Sequence, residues 1–122
     1  MLKVALLCLA LNIHFEARGE PYAGQLAVAH VTINRSKENG TPICHEVFKK
    51  NQFSWTRHRY KMPKGEEWEN SKRVAVVALR TQDSTRGATY FFNPRKCHTP
   101  RSIVRGRVRT HAIGNHVFYA NK

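Results

Sequence analysis

The sequence predicts an α+β fold, mainly helical at the start with a small antiparallel sheet at the end, and three observations carry this. Apolar residues recur at helical spacing in separate stretches up to Gln82. Ala88-Thr89-Tyr90-Phe91-Phe92 is β-prone, and Val108 to Tyr119 reads as a hairpin turning at Gly114-Asn115. With 122 residues and no repeat, linker or low-complexity stretch, the chain reads as one domain over residues 1–122.

The first helix follows from Leu2, Leu6, Leu9 and Ile13, and its other faces are apolar too, as in a helix surrounded by protein. Met1-Leu2-Lys3 and the apolar run Val4 to Leu11 imitate a signal peptide. The run is too short to span a bilayer, and Asn12-Ile13-His14-Phe15-Glu16 follows where a small-residue cleavage site would stand. The expectation is a retained helix, with no signal peptide and no transmembrane segment. Arg18-Gly19-Glu20-Pro21 breaks it, since Gly suits a left-handed helix end and Pro a first helical turn.

A second helix carries Tyr22, Leu26, Ala29 and Ile33 along one stripe and ends near Lys37 to Gly40. Between Thr41 and Gly65 the pattern is irregular, with a short helix at Cys44 to Lys49 and then a loop, Asn51-Gln52-Phe53-Ser54-Trp55, of the kind where binding residues sit. Trp68, Ala75, Ala78 and Leu79 mark a helix from Glu66 to Gln82, whose acidic start suits the helix dipole. In the hairpin, a two-residue turn pairs Ile113 with His116 and His111 with Phe118 on one face, and sets Ala112, Val117, Thr110 and Tyr119 on the other.

The charge is strongly one-sided: 21 Lys+Arg against 8 Asp+Glu, a net +13. Such a surface attracts polyanions through a salt-screened field, and nucleic acid, anionic lipid and the bacterial wall all qualify. Cys8, Cys44 and Cys97 are an odd and sparse set, which predicts free thiols in a reducing compartment. Cys44-His45 and Cys97-His98 lack the spacing that brings two ligands to one ion, so neither a metal nor any other cofactor is expected.

Glycosidic cleavage needs a carboxyl that stays protonated near neutral pH, which requires a partly apolar site. Glu16 fits: it ends an apolar helix, follows Phe15, and precedes the glycine that turns the chain. Taken alone, a Glu at a helix end is more often solvated or capping.

Phe15-Glu16-Ala17-Arg18-Gly19-Glu20-Pro21, then Gly24-Gln25, Ala27-Val28-Ala29 and Asn34-Arg35, resembles the signature of the SleB/CwlJ-type cell wall hydrolases, which include spore-cortex-lytic enzymes. Asn51-Gln52-Phe53-Ser54-Trp55, Gly87-Ala88-Thr89-Tyr90-Phe91 and Ile113-Gly114-Asn115-His116-Val117-Phe118-Tyr119 follow in the family's order, so the resemblance spans almost the whole chain. It implies a small lysozyme-like domain that cuts peptidoglycan between N-acetylmuramic acid and N-acetylglucosamine, with Glu16 as the catalytic acid and Glu20 structural, binding Arg18 or capping the second helix. The chain departs from the family at Phe92, where a polar residue or histidine is expected, and in the basic stretch Lys96 to Arg107, which holds Cys97-His98 and no Trp.

No second carboxyl has a motif-supported place opposite Glu16, whereas retaining and inverting hydrolases ordinarily use two. One Glu suffices for a lytic transglycosylase, in which the muramic C6 hydroxyl closes an anhydro ring. The resemblance points the same way; a hydrolytic muramidase is the alternative within the family.

The candidate substrate-binding residues are Gln52, Ser54, Trp55, Tyr90, Asn93 and His116. Gln52, Ser54 and Trp55 suit a sugar cleft, although Phe53 and Trp55 equally suit a core. Tyr90 is placed to steady developing positive charge or hold Glu16, or is a core tyrosine. Asn93 reads as a ligand-binding amide or a turn residue, and His116 as a sugar ligand or a satisfied hairpin histidine.

Two rivals are weaker. A cysteine peptidase would rest on Cys97 with His111 or His116, and no signature surrounds them. A nucleic-acid-binding module would rest on the charge and on basic-aromatic mixing at Arg57 to Tyr60 and Arg95 to Arg109, with no nucleic-acid motif behind it. A free-standing, basic catalytic domain suggests a monomeric bacteriophage endolysin with no stable nucleic-acid partner, held in the host cytoplasm until release to the wall.

Overall fold

Helix α1 (Leu2–Ala17) packs against α2 (Tyr22–Asn39), α3 (Ile43–Phe48) and α4 (Glu66–Arg80). Its second half, Leu9 to His14, is buried, whereas Val4 and Leu7 in its first half are exposed, so protein does not surround the whole helix as its all-round apolar composition suggests. The computed structural model describes residues 2–49, 53–57, 59–96 and 101–122; of Leu2, Ser54, Arg101 and Ile103 it describes the backbone alone. A single 3₁₀ turn (Ser54–Arg57) lies between α3 and α4, and strand β1 (Tyr90–Phe92), a short helix α5 (Arg101–Val104) and the hairpin β2 (Arg107–Ile113) and β3 (His116–Asn121) complete the chain. The three strands are antiparallel in the order β1-β3-β2. No helix among the described residues is long and apolar enough to cross a membrane.

Helix α2 separates two cores. Ala29, with half-buried Leu26 and Ile33, faces Leu9, Ala10 and Ile13 of α1 and Trp68, Val74, Ala75 and Ala78 of α4. Ala27, Val28 and Val31 face Ala88 and Phe118 on the sheet side, joined by Ala17 from the end of α1. The stripe read from the sequence is thus one of two buried faces, and its first member, Tyr22, is 54% exposed. The helix ends as its composition requires, at Gly40 in the left-handed conformation (φ 65°), whose N–H donates to the Ser36 carbonyl.

Polar side chains of α2 hold the connection from α4 to the sheet. The Ser84 backbone N–H donates to Nδ1 of His30 at 3.1 Å, leaving Nε2–H to donate to Thr81 Oγ1 at 3.1 Å. Asn34 donates to the Ala88 carbonyl at 2.9 Å and Arg35 to that of Thr89 at 2.9 Å. Arg35 also pairs at 3.4 Å with Glu46, which is 0% exposed and accepts hydrogen bonds from Asn39 and Thr41. Burial pushes the Glu46 carboxyl up, but these donors and the guanidinium hold it below its ordinary value.

The hairpin turns where expected, with positive φ at Gly114 (57°) and not at Asn115, the pattern of a II′ turn. Ile113 pairs with His116, Ala112 with Val117 and His111 with Phe118. Beyond these the register shifts: Tyr119 pairs with Arg109, because Thr110 is the extra residue of a bulge. Sequence alternation alone cannot see an inserted residue whose side chain is polar.

The cysteine expectation is corrected. Cys8 and Cys44 form a disulfide, with Cα atoms 5.2 Å apart, tying α1 to α3 across 36 residues of chain. An odd cysteine count hid it: two of the three pair, and Cys97 lies outside the described residues. Closing a loop of this length restricts the unfolded chain by about 3–4 kcal/mol. A Cys8→Ala/Cys44→Ala variant is therefore expected to lose stability on that scale, and a reductant to lower the melting temperature of the wild type but not of the variant. Equal melting curves for wild type with and without reductant contradict the bridge.

Candidate active site

Glu16 is the penultimate residue of α1 and lies where both cores close around the helix end: Ile13 is buried in one and Ala17 in the other. The chain then turns through Gly19 (φ 84°), a conformation that favours glycine. Glu16 itself is half-buried, and its carboxyl has no hydrogen bond or ion pair among the described residues. Burial without a compensating donor raises its pKa from 4.5 to about 7, with the Lys96 ammonium opposing the rise. A carboxyl in this state gives up and takes back a proton near neutral pH.

Glu20, four residues on, has the opposite environment. Its carboxylate accepts the Asn115 backbone N–H at 2.9 Å and the Asn115 side-chain amide at 2.9 Å. Burial alone would raise its pKa, but these hydrogen bonds, with His116 and Lys96, hold it below the ordinary value. Gly114 completes the fit, since a Cβ there would stand 2.3 Å from Glu20 Oε1 and 2.9 Å from Pro21 Cδ. The structural role expected of Glu20 is present with a different partner. Arg18 instead meets His14 Nε2 at 3.2 Å, and α2 is preceded by Pro21 at its cap position without a side-chain cap. The carboxylate reaches the hairpin because the turn brings the two residues together across 95 positions of sequence.

The other acids are engaged elsewhere or stand on an exposed helix turn. Glu38 accepts from Asn121, Glu69 pairs with Lys72, Asp83 binds the Thr85 and Gly87 backbones, and Glu46 is sealed with Arg35. Glu66 and Glu67 open α4.

Of the residues proposed to bind substrate, Trp55 and His116 come to this end of the molecule. Trp55 stacks on Phe15, the neighbour of Glu16, with ring centres 4.9 Å apart, and Tyr60 and Phe48 pack edge-on against it. Its indole N–H donates to Asn12 Oδ1 at 3.0 Å, while Asn12 donates to Thr32 at 3.2 Å. Asn12 was missed from the sequence, although a polar residue in an apolar run, one helical turn before Glu16, is a readable signal. Phe53 is a core residue, 5% exposed.

His116 is buried, edge-on to Phe91 at 5.1 Å, with Nδ1 3.9 Å from Glu20. Burial first, and then Lys96, lowers its pKa against the pull of Glu20. Lys96 thus acts electrostatically on Glu16, Glu20 and His116 together, and no local pattern announced it. Tyr90 lies on the sheet face opposite Phe91, with the Arg35 and Arg107 guanidiniums 4.6 and 3.7 Å from its ring centre. Asn93 shapes the turn after β1, its side chain accepting the Arg95 N–H at 2.9 Å. Gln52 lies outside the described residues, as do Cys97 and His98, and Ser54 is described by its backbone alone.

Comparison with known proteins agrees with this arrangement. Residues 19–119 match the family described as Cell Wall Hydrolase. The chain is similar to the spore cortex-lytic enzymes of Halalkalibacterium halodurans (34% identity over 114 residues, 90% of this chain and 33% of that protein) and Bacillus subtilis (32% over 114 residues, 90% and 35%). It therefore spans about a third of the length of these relatives. Among solved structures it resembles the catalytic domain of the germination-specific lytic transglycosylase SleB from Bacillus anthracis, with a TM-score of 0.76, 30% identity and coverage of 93% of this chain and 92% of that one. The catalytic domain of Bacillus cereus SleB superposes with a TM-score of 0.72 at 31% identity, covering 93% and 88%. The mainly helical fold with a small antiparallel sheet is thus the one that the sequence predicts.

The raised Glu16 pKa makes a prediction that needs no substrate. The fold favours the protonated form, so the stability linked to Glu16 is complete below 4.5 and is lost as pH rises through about 7. Glu16→Gln removes the buried charge. It is expected to match the wild type at pH 4 and to exceed it at pH 8.5 by about 1–2 kcal/mol, after allowance for partial exposure. Denaturant titrations at the two pH values measure this, and an equal difference at both refutes the raised pKa.

Proposed function

This chain belongs to the cell wall hydrolase family, and from that premise we propose that it cleaves peptidoglycan glycan strands between N-acetylmuramic acid and N-acetylglucosamine as a lytic transglycosylase. The observation that carries the reading is the state of Glu16: a half-buried carboxyl without a partner among the described residues, its pKa raised to about 7, which follows in the chain the Phe15 ring that stacks on Trp55. Aromatic faces of this kind suit the apolar face of a sugar.

Glu16 donates its proton to the bridging oxygen as the bond from muramic C1 breaks, and the glucosamine leaves with a free hydroxyl. Positive character at C1 is met by the C6 hydroxyl of the same sugar, whose oxygen bonds to C1 while its proton passes to the Glu16 carboxylate. The product is a 1,6-anhydromuramic end, and Glu16 returns to its starting form. One carboxyl serves both steps. The engagement of Glu20 and Glu46 supports this route, since neither is free to act as nucleophile or to activate water. The intramolecular attack is also favoured by effective molarities that reach about 10⁵–10⁸ M.

We extend the reading to host-cell lysis by a bacteriophage endolysin acting as a monomer. The net charge of +13 suits an anionic wall. Held in a reducing host cytoplasm, the chain would close its Cys8–Cys44 bridge after release.

Glu16→Gln is expected to lower lysis of purified sacculi by at least about 10²–10⁴-fold, the scale of general acid-base catalysis, whereas Glu20→Gln weakens the grip on Asn115 and retains measurable activity. An active Glu16 variant beside a dead, folded Glu20 variant reverses the assignment. The product is the second test: fragments should be one water lighter than hydrolysis products and resist borohydride at muramic acid. Hydride uptake there makes water the nucleophile and the enzyme a hydrolytic muramidase.

A further inference from the structure

A pocket of about 340 Å³, the size of a small-ligand site, opens between the turn after α1, the start of α2 and the first turns of α4. Glu16 does not line it, but Gly19, three residues later, does. Nothing stands within 4 Å of where a Gly19 side chain would begin, so the pocket is open at that turn. Three residues reach no farther than about 11 Å.

The walls carry charges of both signs. Arg18 and Arg73 stand with Glu66 and Glu67, and none of the four forms an ion pair among the described residues. Between them lie neutral polar groups. Asn70 donates to Gln25 Oε1 at 2.9 Å, and Gln25 donates to the Glu20 carbonyl at 3.0 Å, so the two amides are held in place. Ser71 lines the same pocket with its residue surface 1% exposed. No aromatic residue lines the pocket, in contrast to the Phe15 and Trp55 wall.

We propose that this pocket binds the peptide stem of the substrate, a short chain that bears carboxylates and a free amine and hangs from the muramic acid whose bond is cut. Guanidiniums of Arg18 and Arg73 receive the carboxylates, Glu66 and Glu67 the ammonium, and Ser71 the peptide backbone. A neutral sugar would use neither pair of charges. The occupant belongs to the substrate proposed above, so the inference rests on that reading.

The test compares kcat/KM on glycan strands that keep their stems with that on strands stripped by an amidase. Wild type is expected to prefer the stem-bearing strands by about tenfold or more, the scale of one charge-assisted hydrogen bond. Glu67→Gln/Arg73→Gln is expected to remove most of that preference and leave the rate on stripped strands unchanged. Equal cleavage of both strands by the wild type overturns the proposal, as does a variant that slows both alike. If neither strand is cut, the glycan-cleaving reading fails, and titration of the wild type with the released stem peptide decides the pocket by itself: shifted amide resonances at Gly19 and Ser71 support it, and unshifted ones reject it.

Discussion

Glu20 closes the two halves of this molecule on each other. Its carboxylate takes both donors of Asn115 at the hairpin tip, and Gly114 makes room for it by having no side chain. The sheet side of α2 adds the packing: Ile113 lies 3.4 Å from where a Gly24 Cβ would stand, and Phe118 is fully buried against Ala27, Val28 and Val31. The closed hairpin in turn covers the end of α1, because Ala17 belongs to the same cluster as Phe118. Without that cover the neighbouring Glu16 would be solvated and titrate as an ordinary acid.

The motif therefore holds two glutamates four residues apart that do opposite things. Glu20 has two donors and stays ionised; Glu16 has none and keeps its proton up to about pH 7. Environment separates acids of the same chemical type in this way wherever one must give a proton and another must carry charge. The arrangement stores some instability at Glu16, which the remainder of the fold offsets.

Part of that offset lies on the opposite flank. The Cys8–Cys44 bridge holds α3 to α1, and Phe48 of α3 packs edge-on against Trp55, which stacks on Phe15. Asn12 ties the same Trp55 to α1 and, through Thr32, to α2. The aromatic cluster around Trp55 is thus anchored from three helices. Buried Arg35 and Glu46 secure α3 to α2, and Arg35 also donates to the Thr89 carbonyl just before β1, so the polar core and the aromatic cluster share α3 as a support.

The helices and the hairpin turn were legible because their signals are local: apolar spacing in α1, acids at the head of α4, Gly40 after α2, and Gly114-Asn115 between two alternating runs. Glu16 was legible for a related reason, since an apolar helix ending in Phe-Glu before a glycine turn is a pattern within a few residues. Tertiary structure alone decided the rest. It paired Cys8 with Cys44, bulged the hairpin at Thr110, set the Arg35 and Arg107 guanidiniums on the Tyr90 ring, gave Glu20 a partner 95 residues distant, and gathered Glu16, Glu20 and His116 under the charge of Lys96. Periodicity reports which side of an element is apolar, but desolvation and Coulomb forces act through space, and they depend on neighbours that only the folded chain brings within reach.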